Sequence, residues 1–98
     1  MSNSLISVII PAYNVEKVIV DALDSVYTQT YRPIEIIVID DGSTDRTADI
    51  VKNYIASKTN LTSETNRTDI KLIYIYQKNS GPSKARNVGI KASKGEYI

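Results

Sequence analysis

Apolar residues recur along the chain in two patterns, short continuous runs and stripes with a spacing of three or four. The runs predict β-strands. They occupy residues 5–10, 36–39, 70–76 and, as the start of a further strand, 96–98. The stripes predict amphipathic helices. They extend over residues 15–27, 48–55 and 85–92. The predicted elements therefore alternate, with each complete strand leading into a helix.

This alternation predicts an α/β fold, a three-layer α/β/α domain around a parallel, Rossmann-like sheet. Parallel strands require crossover connections, which are right-handed and place helices on the sheet faces. A reversal of direction after the first strand, as in nucleotide-binding sheets, gives the strand order 3-2-1-4. A length of 98 residues suits one domain, so we expect residues 1–98 to form a single unit.

Individual residues predict where elements begin and end. Pro11 ends the first strand because it has no N–H to donate to a sheet, and Asn14 caps the first helix. Pro82 lies near the start of the third helix and Gly95 stops it. The other predicted bounds are 44–58 for the second helix and 59–68 for a polar loop.

Charge and composition exclude several classes of function. The chain carries 12 Lys and Arg against 11 Asp and Glu, so its field is too weak to hold nucleic acid by charge alone. The absence of cysteine and histidine excludes disulfides, the usual zinc sites and a Ser-His-Asp triad. We see no signal peptide and no apolar run near the length of a membrane span. These observations predict a cytoplasmic location.

Two adjacent carboxylates follow the most apolar predicted strand. Asp40 and Asp41 come directly after residues 36–39, at the strand end where open α/β sheets bind ligands. We interpret the pair as functional, because ordinary turn chemistry does not require two like charges side by side. Residues 42–45 are typical of a strand-to-helix turn, and we assign the polar side chains of 43–45 to helix capping.

Polar turns follow all three complete strands, at residues 11–14, 40–43 and 78–81. In a parallel sheet these turns converge at one edge. Tyr13 can stack there on a base, a carboxylate can accept from a base N–H, and Arg86 can meet a phosphate. The turns together predict a nucleotide pocket. The alternatives are an ordinary turn tyrosine and a surface salt bridge of Arg86.

Four ordered motifs resemble family 2 glycosyltransferases of the GT-A fold. They are SVIIPAYN at 7–14, IVIDDGSTD at 37–45, NSGPSKARNVG at 79–89 and KGEYI at 94–98. Together they cover nearly the whole chain. The resemblance implies an inverting, hexosyltransferase-like enzyme of bacterial polysaccharide biosynthesis. Its donor would be a nucleotide-diphosphate sugar, with a UDP-sugar favoured.

The resemblance also implies roles for individual residues. Tyr13 would lie against the base, Asp41 would accept from a base N–H, and Arg86 would lie near the ribose or phosphates. Asp40 would line the same pocket, and Glu16 would lie near its floor. The complete predicted nucleotide-binding set is Pro11, Ala12, Tyr13, Glu16, Asp40, Asp41 and Arg86.

In that family an Asp-x-Asp motif holding Mg²⁺ or Mn²⁺, and then a catalytic base, follow the stretch similar to residues 94–98. We therefore expect this chain to be the donor-nucleotide-binding, N-terminal part of a transferase domain, inactive alone, with the catalytic residues beyond Ile98. No catalytic residue, metal ligand or cofactor is predicted within it. For the longer protein we expect Mg²⁺ or Mn²⁺, a saccharide or lipid-linked acceptor, and peripheral association with the inner membrane. An exposed sheet edge predicts homo-oligomers.

Two other classes fit the sequence less well. A receiver-like, Mg-binding regulatory module would use the Asp40/Asp41 pair, but here a full strand and helix precede that pair, and no lone Asp closes the third strand. A dinucleotide-binding domain needs a glycine-rich first turn, whereas residues 11–14 contain no glycine.

Overall fold

A computed structural model describes residues 5–28, 33–59 and 70–97. Strands and helices alternate along these residues as the hydrophobic pattern predicts. The elements are β1 (Ile6–Ala12), α1 (Ile19–Tyr27), β2 (Ile34–Asp41), α2 (Thr47–Thr59), β3 (Ile70–Gln77), α3 (Pro82–Ala92) and β4 (Glu96–Tyr97). None of the helices in the described ranges combines the length and apolar character needed to cross a bilayer.

The strands form one parallel sheet in the order β3-β2-β1-β4. This confirms the predicted order 3-2-1-4. Because β2 lies between β1 and β3, all eight of its residues are buried, which explains why its sequence is a continuous apolar run. The short β4 pairs only with Ile6 and Ser7 of β1.

Helices cover both faces of the sheet, as the three-layer prediction requires. Ile36 and Val38 of β2 pack with α1 and α2 on one face. Ile37 and Ile39 pack against Ala85 of α3 on the other. This division follows from the two-residue period of a strand, which turns successive side chains to opposite faces.

The third helix lies close to the sheet at Gly89. A Cβ atom added at Gly89 would overlap the side chain of Ile9 and come within 3.4 Å of Ile39. Ala85 and Gly89 are the buried residues of α3. These small residues allow the close approach of α3 to the sheet.

Pro11 does not end the first strand, contrary to the sequence prediction. It pairs with Ile39, and β1 continues to Ala12. Within the described residues β4 pairs no further along β1 than Ser7, so Pro11 lies where β1 has a strand neighbour on one side only. A proline without an N–H is tolerated at such an edge-like position.

The helix bounds differ from those that the sequence predicts. Residues 16–18 form turns, and α1 starts at Ile19, so Val18 of the predicted stripe is 57% exposed. The second helix starts at Thr47 rather than at residue 44, and α3 ends at Ala92, before Gly95.

Two predicted segments lie wholly or partly outside the described residues. The predicted loop at 59–68 lies outside them except for Thr59, which ends α2. The predicted fourth strand extends over residues 96–98, of which the structure describes Glu96 and Tyr97 as β4 but not Ile98. The expectation that catalytic residues follow Ile98 therefore stays a prediction.

A buried polar network that the sequence did not predict joins β1, β2 and the end of α3. The Ser7 hydroxyl donates to Glu35 Oε2 at 2.5 Å, and both residues are at most 1% exposed. The backbone N–H of Lys94 donates to the same oxygen, and that of Gly95 donates to Ser7 Oγ. These bonds satisfy a carboxylate that would be costly to bury alone.

Candidate functional site

A cavity of about 350 Å³ lies where the C-terminal ends of β1 and β2 meet the start of α3. It contains four of the seven residues predicted for nucleotide binding, together with three that follow β3. Its lining residues are Pro11, Ala12, Tyr13, Asp41, Asn79, Gly81 and Pro82. The cavity is within the size range of small-ligand sites, and it shows that the three polar turns converge as the sequence predicts.

The Asp41 carboxylate connects β2 to the start of α3. Its Oδ1 accepts from Gln77 Nε2 at 2.7 Å and from the Ser80 N–H at 2.8 Å. Its Oδ2 accepts from the Gly81 N–H at 3.0 Å and has a 3.5 Å contact with Asn79 Nδ2. The hydrogen bond from Gln77, followed by that from Ser80, holds the pKa of Asp41 below its ordinary value. Asp41 is therefore ionised at neutral pH.

The acceptor capacity of Asp41 is nearly but not fully used. A carboxylate offers about four acceptor positions, and three are occupied at 3.0 Å or less. The fourth, on Oδ2, meets Asn79 at the outer limit of hydrogen bonding. Because Asp41 and Asn79 both line the cavity, a ligand N–H entering it can take the fourth position. Such a bond would be charge-assisted.

Asp40 lies on the opposite face of the sheet from Asp41. It is fully buried, and its Oδ2 accepts from the Tyr74 hydroxyl at 2.6 Å while its Oδ1 accepts from the Ser43 N–H at 2.9 Å. Burial, together with the bond to Asp40, raises the pKa of Tyr74. The carboxylates separate because adjacent strand residues face opposite ways. Asp40 is accordingly absent from the cavity lining and fastens the turn after β2 to β3.

Two other predicted residues also stand apart from this cavity. Glu16 is half-buried, and its Oε1 accepts from the Arg46 N–H just before α2. Arg86 is exposed on α3, next to the buried Ala85. Tyr13, in contrast, is 49% exposed and lines the cavity. The structure therefore brings together Pro11, Ala12, Tyr13 and Asp41, but not Glu16, Asp40 or Arg86.

The turn residues predicted as helix caps bind a second loop instead. Asn14 Oδ1 accepts from the N–H groups of Thr44 and Asp45, and the Asn14 N–H donates to Ser43 Oγ. Of the predicted caps, Asp45 alone performs that role, because its Oδ1 accepts from the N–H of Thr47, where α2 begins. We call the hydrogen-bonded segments 14–16 and 43–47 the loop clasp.

The ionised form of Asp45 is also favoured in the folded chain. Burial by itself would raise its pKa, but hydrogen bonds from Thr47 and from the Glu16 N–H outweigh that effect and hold the pKa below its ordinary value. The ionised forms of Asp41 and Asp45 are thus both stabilised by hydrogen bonds of the folded state.

We expect the stability of the fold to fall with acid because of these two groups. Their folded-state pKa values lie below the ordinary 3.8, so their stabilisation is complete above that pH and is lost as pH falls through the folded-state values. Urea unfolding midpoints measured from about pH 6 to pH 2 should decrease in the acid range, with a shallower decrease in Asp41→Asn. Identical acid slopes for the wild type and Asp41→Asn would contradict this expectation.

The adjacent carboxylates do not form a shared cation site. Asp40 and Asp41 bind different partners on opposite faces of the sheet. Among the described residues, no group of three or more His, Cys, Asp or Glu side chains is arranged to hold a metal ion. This separation of the two carboxylates does not favour a receiver-like module that uses them as a pair.

Comparison with known proteins agrees with the resemblance carried by the motifs. Residues 7–98 match the sequence model of glycosyl transferase family 2. The chain is 42% identical over 93 residues to the glycosyltransferase GlyA of Streptococcus pneumoniae serotype 4. That match covers 95% of this chain but 12% of GlyA.

Solved structures show the same fold. The structure of S. aureus TarS 1-349 with UDP-GlcNAc has 35% identity and a TM-score of 0.69 over 95% of this chain and 25% of the TarS 1-349 chain. The mannosyltransferase PcManGT of Pyrobaculum calidifontis, in complex with GDP-Man and Mn²⁺, has 26% identity and a TM-score of 0.76 over 96% of this chain and 26% of its own. These neighbours have the GT-A fold. On its sequence and its fold alike, the chain belongs to glycosyl transferase family 2.

Proposed function

We propose that this chain is the donor-nucleotide-binding part of an inverting glycosyltransferase that uses a nucleotide-diphosphate sugar. The observation that carries the proposal is a cavity lined by both Tyr13 and Asp41, whose carboxylate has one acceptor position that is only weakly used. An aromatic face and an anionic acceptor are the two groups that recognise a nucleobase through its π-face and its ring N–H. The complexes of TarS with UDP-GlcNAc and of PcManGT with GDP-Man support the same class of ligand.

Uracil, like thymine, has an imide that suits the Asp41 carboxylate. Its imide presents one N–H donor, and Asp41 has one weakly used acceptor position, on Oδ2. Guanine presents an N–H and an adjacent amino group, which together need two acceptor positions. We therefore favour a UDP-sugar as the donor.

We propose that metal binding, base catalysis and acceptor binding involve other parts of a longer protein. The chain spans 12% of the length of GlyA and about a quarter of the two glycosyltransferase structures. We propose that the ligands for Mg²⁺ or Mn²⁺, the catalytic base and the site for a saccharide or lipid-linked acceptor lie beyond Ile98. The metal would neutralise the pyrophosphate of the donor.

Two further parts of the proposal concern the oligomeric state and the cellular location. The strand β3 forms one edge of the sheet, and its Tyr76 is 60% exposed. An edge strand of this kind can pair with a second copy of the chain. We propose homo-oligomers through this edge, and for the longer protein a location in the cytoplasm or peripherally at the inner membrane.

We expect the chain to bind UDP weakly and without a metal. A nucleoside of about 17 heavy atoms at roughly 0.3 kcal/mol each gives about 5 kcal/mol, which corresponds to a dissociation constant on the order of 0.1–1 mM. The measurement is an NMR titration with UDP, GDP and ADP in the presence of Mg²⁺, which is diamagnetic, unlike Mn²⁺. The titration is then repeated with a chelator. UDP should bind most tightly and no sugar should be transferred.

Two results would contradict that expectation. Absence of any shift up to about 10 mM UDP, well above the expected constant, would show that the cavity is not a nucleotide site. Micromolar binding that disappears on chelation would show that a metal site exists within these residues. Phosphorylation of Asp40 or Asp41 by acetyl phosphate would instead favour a receiver-like module.

A further inference from the structure

We infer that the loop clasp positions the nucleobase site, and that Asn14 acts on nucleotide affinity through Tyr13 without touching the nucleotide. This inference rests on the proposed nucleotide-binding function. It concerns residues that the sequence assigned to helix capping, and which the structure shows to be engaged with one another across two loops.

The loop clasp is reciprocal, because each segment supplies both donors and acceptors to the other. In one direction, three consecutive N–H groups of segment 14–16 donate to side chains of segment 43–47. That of Asn14 donates to Ser43 Oγ at 2.9 Å, that of Val15 to Thr47 Oγ1 at 2.9 Å, and that of Glu16 to Asp45 Oδ2 at 3.2 Å. In the other direction, the N–H groups of Thr44 and Asp45 both donate to Asn14 Oδ1, at 2.8 and 3.2 Å. The N–H of Arg46 donates to Glu16 Oε1 at 2.8 Å. Consecutive backbone donors on both segments are thereby satisfied by side chains of the opposite segment.

Each segment of the loop clasp begins beside a residue of the cavity. Asn14 directly follows Tyr13, and Ser43 is two residues after Asp41. Tyr13 and Asp41 line the cavity, whereas no residue of the loop clasp does. The clasp therefore ties together the chain segments that carry the two proposed base-recognition groups.

Tyr13 needs such support because its own packing is slight. Tyr13 is 49% exposed, so packing within the protein covers only about half of it. Asn14 has φ of 51°, in the left-handed region, where asparagine is among the few residues that are tolerated. This conformation bends the chain directly after Tyr13, and the hydrogen bonds of the loop clasp hold it. A ring held in its binding position loses less freedom on binding, which raises affinity.

The test separates the Asn14 side chain from its backbone conformation. Asn14→Gly accepts the left-handed conformation but removes the acceptor for Thr44 and Asp45, whereas Asn14→Asp retains an acceptor. We expect Asn14→Gly to weaken UDP binding about tenfold, because a site that is formed only part of the time has a proportionately lower apparent affinity. Asn14→Asp should remain within about threefold of the wild type. Asn53→Ala, at an exposed asparagine of α2, is the control and should bind as the wild type does.

A spectroscopic measurement distinguishes positioning from a general loss of structure. The chain is labelled with 3-fluorotyrosine, and the Tyr13 resonance is assigned by Tyr13→Phe. Asn14→Gly should shift the Tyr13 resonance and leave that of Tyr54, which is buried between α1 and α2, unchanged. If Tyr54 also shifts, Ser43→Ala replaces Asn14→Gly in the test, since it removes the acceptor for the Asn14 N–H. Its expected loss of UDP affinity is smaller, about threefold, because it removes one contact of the loop clasp rather than two.

The outcomes separate this inference from the proposed function. Absence of UDP binding by the wild type would refute the proposed function. Wild-type binding that Asn14→Gly and Ser43→Ala leave unchanged would refute the inference alone. Weakened binding with an unmoved Tyr13 resonance would also overturn it, because Asn14 would then act by another route. Weakened binding with a shifted Tyr13 and rescue by Asn14→Asp supports it.

Discussion

Replacing Gly42 by alanine should lower the free energy of unfolding by about 2–5 kcal/mol and disrupt the cavity. Gly42 has φ of 78°, and a side chain in the left-handed region costs about 1–2 kcal/mol. A Cβ atom at this position would also lie 2.6 Å from the backbone nitrogen of Asn79. Overpacking of this kind costs about 1–3 kcal/mol more.

The contact is severe because its partner is backbone rather than a mobile side chain. A rotamer change cannot relieve it, so the segment at Asn79 must move. That segment continues into Ser80 and Gly81, whose N–H groups donate to Asp41. The same substitution is therefore expected to weaken nucleotide binding, even where the variant remains folded.

Thr44→Ala provides the control for Gly42→Ala. Thr44 is exposed in the same turn and its hydroxyl makes only a long 3.4 Å contact, so its loss should change the free energy of unfolding by about 0.5 kcal/mol or less. Urea unfolding of both variants at neutral pH is the measurement. A Gly42→Ala variant as stable as Thr44→Ala would show that the turn after β2 is not constrained as described.

The topology was predictable because it follows from local patterns. Apolar runs and helical stripes depend on residues close in sequence, and the rules for parallel crossovers then leave few arrangements. What sequence could not supply was the partner of each polar side chain.

The predicted helix-capping roles were wrong where distant hydrogen bonds replace local ones. Asn14 and Ser43 have side chains suited to helix capping, but their observed partners lie 29 to 31 positions away in the sequence. Local composition carries no signal for such contacts. The divergence of Asp40 from Asp41 was foreseeable, because the alternation of side chains along a strand applies to the pair as it does to Ile36 and Ile37.

The residues that follow β3 show a different limit. Asn79, Gly81 and Pro82 line the cavity, and the predicted convergence of strand ends placed their turn there. Their individual roles did not follow, since the side chain of Asn79 is oriented by a 2.9 Å hydrogen bond to the Asp41 carbonyl. Convergence identifies which turns meet, whereas contacts in the folded chain decide which atoms face a ligand.

Asp41→Asn should reduce affinity for uridine nucleotides by at least about tenfold, because it exchanges a charge-assisted bond for a neutral one. Asparagine has nearly the same shape as aspartate but replaces one acceptor oxygen with an amino group. If that group takes the Oδ2 position, it faces the Gly81 N–H and a base N–H, so donors meet donors. NMR titration with UDP, with uridine as a second ligand, measures the loss.

Asp40→Asn is the matched control, because it makes the same chemical change one residue earlier. Asp40 is fully buried and bonds to Tyr74 and Ser43, so its replacement should reduce stability while the affinity of the folded protein stays within about threefold of the wild type. Ser43→Ala should also cost less affinity than Asp41→Asn, since Ser43 acts through Asn14. Equal losses of UDP affinity in Asp40→Asn and Asp41→Asn would show that the carboxylate facing α3 is not the group that recognises the base.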